Sequence, residues 1–236
     1  MTLKVLVVLT SAGRIPSTGQ EIGWYLPEFA HPWEVLHSKV EFVVASPKCG
    51  RAPLSSQSVE MFMNNPVCSK FLKEQASLWE DTVTLSDALL LVEELDAIFY
   101  PGDHGPMFDL YSDTESISLI EKFAAAQNPI ASVCHGPAVI LKATLPSGEP
   151  LIASATVTGF SNAEDAIGSS PLMPFMLEDE LHKLSGGGFV KAEEDFGERV
   201  VVSTVKGLGG ALITGQNPAS AAGVGKALAQ ALGIVA

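Results

Sequence analysis

The 236-residue chain is 47% hydrophobic and only 17% charged, which supplies a full core and excludes wholesale disorder. Its formal net charge of −13 argues against nucleic acid or an anionic membrane surface as partner, since both need clustered Lys and Arg. Three cysteines, Cys49, Cys68 and Cys134, lie far apart without any CxxC spacing, indicating neither a zinc site nor a disulfide framework but a reducing compartment.

The opening "MTLKVLVVLTSAGR" has too short an apolar run for a leader and no small-residue cleavage site, so Lys4–Thr10 reads as a first buried strand. No apolar run approaches the roughly 20 residues that span a bilayer. A cytoplasmic, membrane-free protein is the expectation. A helix is expected over Glu28–Lys39 and a second Val-rich strand over Val40–Ser46. The connection from Pro47 to about Leu95 is longer than one crossover helix requires. Within it, Leu54–Asp81 reads as a small helical insert lying over the strand ends. Strand Ala97–Tyr100, helix Asp113–Gln127, strand Ile130–Val133 and helix Gly136–Thr144 continue the alternation. A helix over Pro174–Ser185, strands over Arg199–Thr204 and Ala211–Thr214, and a terminal helix over Pro218–Leu232 complete it. Continuous apolar strands separated by helices define an α/β fold with a mainly parallel central sheet covered on both faces. The whole chain, 1–236, reads as one domain.

In such a sheet, loops distant in sequence converge at the carboxyl ends of the strands. Four stretches fall there: "YPGDHGPMFD", "VCHGPA", "VTGFSNAED" and "TGQNPAS". Cys134 follows the strand ending at Val133, at a sharp turn with the logic of a nucleophile elbow. A thiol at a helix N-terminus beside an imidazole has its thiolate favoured. The alternative is a buried structural thiol with a helix-capping His135. An acid is needed to orient His135, and "SNAED" supplies Glu164 and Asp165, between which the sequence does not choose. Glu28 follows the first strand and can meet the thiol only as a protonated acid or as its proton acceptor. Gly102 and Asp103 open the loop after the third strand, where backbone N–H groups can form an oxyanion hole. Met61 and Met63 read as core or insert packing, His37 and His182 as helix residues without a partner pattern, and Cys49 and Cys68 as inert.

Together, "AIFYPGDHGPMFDL", "ASVCHGPA", "VTGFSNAED", "PFMLEDEL" and "LITGQNPAS" resemble the DJ-1/PfpI superfamily along essentially the whole chain, and more narrowly its Hsp31-like branch. The resemblance implies a flavodoxin-like three-layer sandwich, a homodimer and conversion of methylglyoxal, a small 2-oxoaldehyde, to D-lactate without glutathione, metal or cofactor. It makes Cys134 the nucleophile, His135 the general base, Glu28 the acid beside the nucleophile, and Glu164 or Asp165 the third acid. Gly102 and Asp103 match the family's "PGGHG" loop, whose backbone N–H groups face the substrate oxygen. Asp103 stands where the second glycine is usual and brings a carboxylate to the pocket or turns it away. Competing expectations are a cysteine-dependent amidase, peptidase or protein deglycase, and, in another class, a stress-response holdase chaperone or redox sensor.

Overall fold

The computed structural model describes residues 2–167, 172–207 and 209–234. Six strands form its sheet: β1 (Leu3–Val8), β2 (Val40–Ala45), β3 (Ala97–Tyr100), β4 (Ile130–Val133), β5 (Val200–Thr204) and β6 (Ala211–Gly215). Their order is β2-β1-β3-β4-β6-β5, parallel except for the edge strand β5, which runs antiparallel to β6. The short Gly-rich connection explains that edge: Val205 N–H donates to the Gly210 carbonyl, closing a hairpin that no parallel pair could use.

Strand alternation splits the core between two faces. Leu6, Val8, Ile98, Tyr100 and Ile130 point to one layer, packed by α5 (Leu85–Leu90) and α6 (Thr114–Ala125). Val5, Val7, Phe99, Ala131 and Val133 point to the other, packed by α1 (Leu26–Leu36) and α9 (Ala221–Ala231). The expected insert is three short helices, α2 (Ser56–Phe62), α3 (Pro66–Glu74) and α4 (Ser77–Glu80). Ser55 caps α2 through the Ser58 N–H, and Asn65 caps α3 through the N–H groups of Val67 and Cys68. Trp24, Phe29, Trp33 and Phe71 stack edge-on and fasten this insert to α1. The fold is therefore the expected flavodoxin-like three-layer α/β sandwich.

Several boundaries differ from the sequence reading. The helix expected over Gly136–Thr144 is a 3-10 turn of five residues, Gly136–Ile140. A Cβ at Gly136 would lie 2.4 Å from the Tyr100 carbonyl oxygen, so the chain leaves β4 wedged against the β3 loop. The terminal helix begins with a separate 3-10 turn, Pro218–Ser220, ahead of α9. Helix α8 occupies Leu177–Leu184 and short α7 occupies Asn162–Ala166. Met61 and Met63 are not packed in the core: they are 62% and 55% exposed.

Candidate active site

The chain runs from β1 out to β2 and crosses back to β3, so the loops after β1, β3 and β4 meet at a topological switch point. A cavity of about 520 Å³ opens there, lined by Glu28, Asp103, His104, Cys134, His135 and Phe160. Tyr25, Met61, Phe62, Ile167 and Phe196 surround its mouth.

Cys134 sits directly after β4 with φ +63°, a left-handed conformation that costs a residue with a Cβ about 1 kcal/mol or more. The strain is held by tertiary contacts. Cys134 N–H donates to the Gly215 carbonyl of β6, and the Cys134 carbonyl accepts from Phe160 N–H. Gly102 leaves no room for a side chain: its Cβ would lie 2.6 Å from the Val133 oxygen and 2.8 Å from the His135 nitrogen. The result is an elbow that lifts Sγ into the cavity floor while 96% of the residue stays out of solvent, since its relative exposure is 4%.

His135 Nδ1 lies 3.6 Å from Cys134 Sγ, and its Nε2 lies 3.1 Å from Asp165 Oδ1. Both His135 and Asp165 are buried. The imidazole therefore bridges thiol and carboxylate. Glu164 lines the same cavity, but its carboxylate is bound by other groups. Its Oε2 accepts from the backbone N–H and the hydroxyl of Ser161. Its Oε1 accepts from Phe196 N–H, Gln216 Nε2 and Asn217 Nδ2. Ser161 also accepts from Glu164 N–H, completing a capping box on α7. The pattern Ser161-x-x-Glu164 is the sequence signal for Glu164 as a helix cap, while the Asp165–His135 contact is made by the tertiary structure. The "TGQNPAS" loop also contributes: Gln216 and Asn217 donate to Glu164, and Asn217 lines the cavity.

Glu28, at the third position of α1, is completely buried. Its Oε2 accepts from Gly102 N–H at 2.7 Å, its Oε1 is buried without a hydrogen-bond partner among the described residues, and the residue lines the same cavity as Cys134. Burial raises the Glu28 carboxyl well above the usual carboxylate range, against the opposing pull of Gly102 N–H and Cys134. Burial, and then the negative charge of Glu28, likewise raise the Cys134 thiol, while the Asp103 backbone N–H lowers it. Two acids with raised proton affinities thus lie in the same dry corner of the cavity. This corrects the expectation that a helix dipole activates the thiol. The five-residue 3-10 turn has little dipole, and desolvation dominates.

The oxyanion expectation changes as well. Gly102 N–H is engaged by Glu28, so of the expected pair only the Asp103 N–H faces the sulfur. Asp103 has φ +68°, the conformation that suits the usual glycine. Its side chain turns from Sγ: Oδ2 accepts from Gly23 N–H at 3.1 Å, and Oδ1 lies 3.2 Å from His104 Nδ1. His104, which the sequence reading did not single out, thereby enters the cavity wall with its ring centroid 5.1 Å from that of His135. The "DHG" tripeptide after β3 is its only signal in the sequence. Behind this loop, Asp109 accepts from Thr10 Oγ1 and from the backbone N–H groups of Ser11 and Leu110, tying the β1 and β3 loops together.

No family model matches the chain. It is 26% identical over 234 residues to the glutathione-independent glyoxalase HSP31 of Saccharomyces cerevisiae, covering 92% of this chain and 93% of that protein. It is 33% identical over 138 residues to the probable glutathione-independent glyoxalase hsp3104 of Schizosaccharomyces pombe. That match spans 57% of this chain and 60% of the relative, less than two thirds of its length. The crystal structure of glyoxalase III from Candida albicans superposes with a TM-score of 0.83 at 25% identity, over 98% of this chain and 97% of that one. Along essentially its whole length the chain is thus similar to Hsp31-type glutathione-independent glyoxalases. In this chain the cavity brings together the buried Cys134–His135–Asp165 line and the buried Glu28 carboxyl. Among the described residues, no helix is long and apolar enough to cross a membrane.

Proposed function

We propose that the protein is a glutathione-independent glyoxalase, converting methylglyoxal and similar small 2-oxoaldehydes to D-lactate and the corresponding 2-hydroxy acids. The observation that carries this reading is the strained Cys134 elbow, with His135 Nδ1 3.6 Å from Sγ and the buried Glu28 carboxyl lining the same cavity. The relatives named above support the substrate class. The Cys134 thiol passes its proton to Glu28, and Sγ bonds to the aldehyde carbon. The developing oxyanion meets the Asp103 N–H. His135 Nδ1 takes the proton from C1 of the hemithioacetal and returns one to C2 through an enediolate, while Asp165 steadies the imidazolium. The product of this internal redox step is a thioester on Cys134, which water hydrolyses.

The test is purified protein with methylglyoxal, no glutathione, and enantiospecific detection of lactate. D-lactate from the wild type and none from Cys134→Ala is expected. Turnover that survives Cys134→Ala removes the mechanism. The exposed apolar mouth, with Ile167 at 68% and Phe196 at 46% exposure, favours a second reading: removal of the same oxoaldehyde from a protein amine. Incubating a preformed lysine adduct after free aldehyde has been removed separates the two. Release faster than spontaneous reversal supports the second reading.

A further inference from the structure

The rearrangement leaves an acyl group on Cys134, and thioester hydrolysis needs a base that meets water. His135 is poorly suited. It is 1% exposed, its Nε2 faces Asp165 and its Nδ1 faces the sulfur that bears the acyl group. The neighbouring imidazole differs on each count. His104 retains 20% side-chain exposure, lines the same cavity, and its ring centroid lies 5.1 Å from that of His135. Asp103 Oδ1, 3.2 Å from His104 Nδ1, favours the proton on that nitrogen and leaves Nε2 with a free lone pair. That carboxylate is held at φ +68°, where a glycine would rest without strain, and is fixed by Gly23 N–H. A costly residue at this position is explained if its carboxylate has work to do on His104.

We propose that Asp103 and His104 form a second acid–base pair that activates the water for hydrolysis of the Cys134 thioester. This rests on the glyoxalase reading above. In the step, His104 Nε2 takes a proton from water as its oxygen bonds to the acyl carbon. The tetrahedral intermediate collapses with cleavage of the C–S bond. The hydroxy acid leaves as its carboxylate, its remaining proton passes to the Cys134 thiolate, and His104 returns its own to solvent. Burial holds the His104 imidazole below its ordinary range, opposed by Asp103 and Asp165 and reinforced by His135, so it is a neutral base at neutral pH.

The experiment is acid-quenched mass spectrometry of wild type, H104Q, D103N and D103G during turnover of methylglyoxal. Hemithioacetal dissociates on denaturation, whereas thioester survives and is cleaved by hydroxylamine. H104Q is expected to lower kcat at least ten-fold, to lower KM with it, and to accumulate hydroxylamine-sensitive acyl enzyme. Added imidazole restores hydrolysis in H104A. D103N, similar in shape, and D103G, relaxed in backbone, reproduce the accumulation more weakly. Wild-type kcat in H104Q, or a slower H104Q without acyl enzyme, overturns the inference while leaving the glyoxalase reading intact. A wild type that forms no D-lactate removes both.

Discussion

Asp165→Asn isolates the contact that distinguishes one acidic residue from its neighbour. The substitution keeps the shape of a fully buried side chain whose Oδ1 lies 3.1 Å from His135 Nε2. If the amide oxygen takes the place of the carboxylate, the ring keeps its tautomer and loses only charge. A hydrogen bond to a charged group contributes about 1.5–3 kcal/mol and a neutral one about 0.5–1.5, so the loss is about 1–2 kcal/mol, or roughly 5- to 30-fold in rate. If the amide nitrogen faces the ring instead, the proton moves to Nδ1, which points at the sulfur 3.6 Å away and can no longer take a proton. The analogous change in serine proteases costs about 10⁴-fold, which sets the upper bound. Asp165→Asn is therefore expected to lower kcat between these limits with little change in KM. Glu164→Gln is the control. It disturbs a carboxylate that accepts from Ser161, Phe196, Gln216 and Asn217, so its main effect falls on thermal stability. Steady-state D-lactate formation, together with melting curves for each variant, provides the measurement. Wild-type kcat in Asp165→Asn, or a loss of chemistry in Glu164→Gln without any loss of stability, refutes the assignment of the orienting acid.

Two further predictions concern the sulfur and its neighbour. The Glu28 carboxyl binds its proton more tightly folded than unfolded, so the folded state carries the extra proton above the ordinary carboxylate range. Stability therefore falls as pH rises from about 4.5 towards the raised folded value, and Glu28→Gln removes this part of the slope. Melting temperatures of both proteins across that range check it, and parallel profiles contradict it. At Cys134, φ +63° makes glycine the relaxed choice, so Cys134→Gly is expected to be more stable than Cys134→Ala by about 1 kcal/mol in chemical denaturation. An alanine variant equal to or above glycine shows that the elbow is not strained.

The strands were legible because each is a buried Val- and Ile-rich run ended by Gly, Pro or Ser, and β3 and β4 fall on the residues the pattern marked. Helix α6 was legible for a different reason: Asp113 accepts from the N–H groups of Glu115 and Ser116, a cap that requires no distant partner. The stretch after Cys134 misled because its composition suits a helix, while the limit on its length comes from the Tyr100 carbonyl packed against Gly136. Met61 and Met63 misled similarly, since apolar character does not reveal that the insert ends at the mouth of a cavity.

The sequence by itself determined that a cysteine and a histidine stand together at the end of a buried parallel strand, because strand periodicity and the Gly-Pro break are local properties. Only the tertiary structure decided what surrounds them. Glu164 and Asp165 are neighbours on a helix and point about 100° apart, so the one that reaches His135 depends on how α7 is rolled and capped. Gly102 N–H went to Glu28, and Asp103 turned to His104, through contacts between residues some 74 and 80 positions from Glu28 and Gly23 in the chain. Such pairings arise where the loops of a parallel sheet converge, and packing in three dimensions, rather than sequence spacing, sets which donor meets which acceptor.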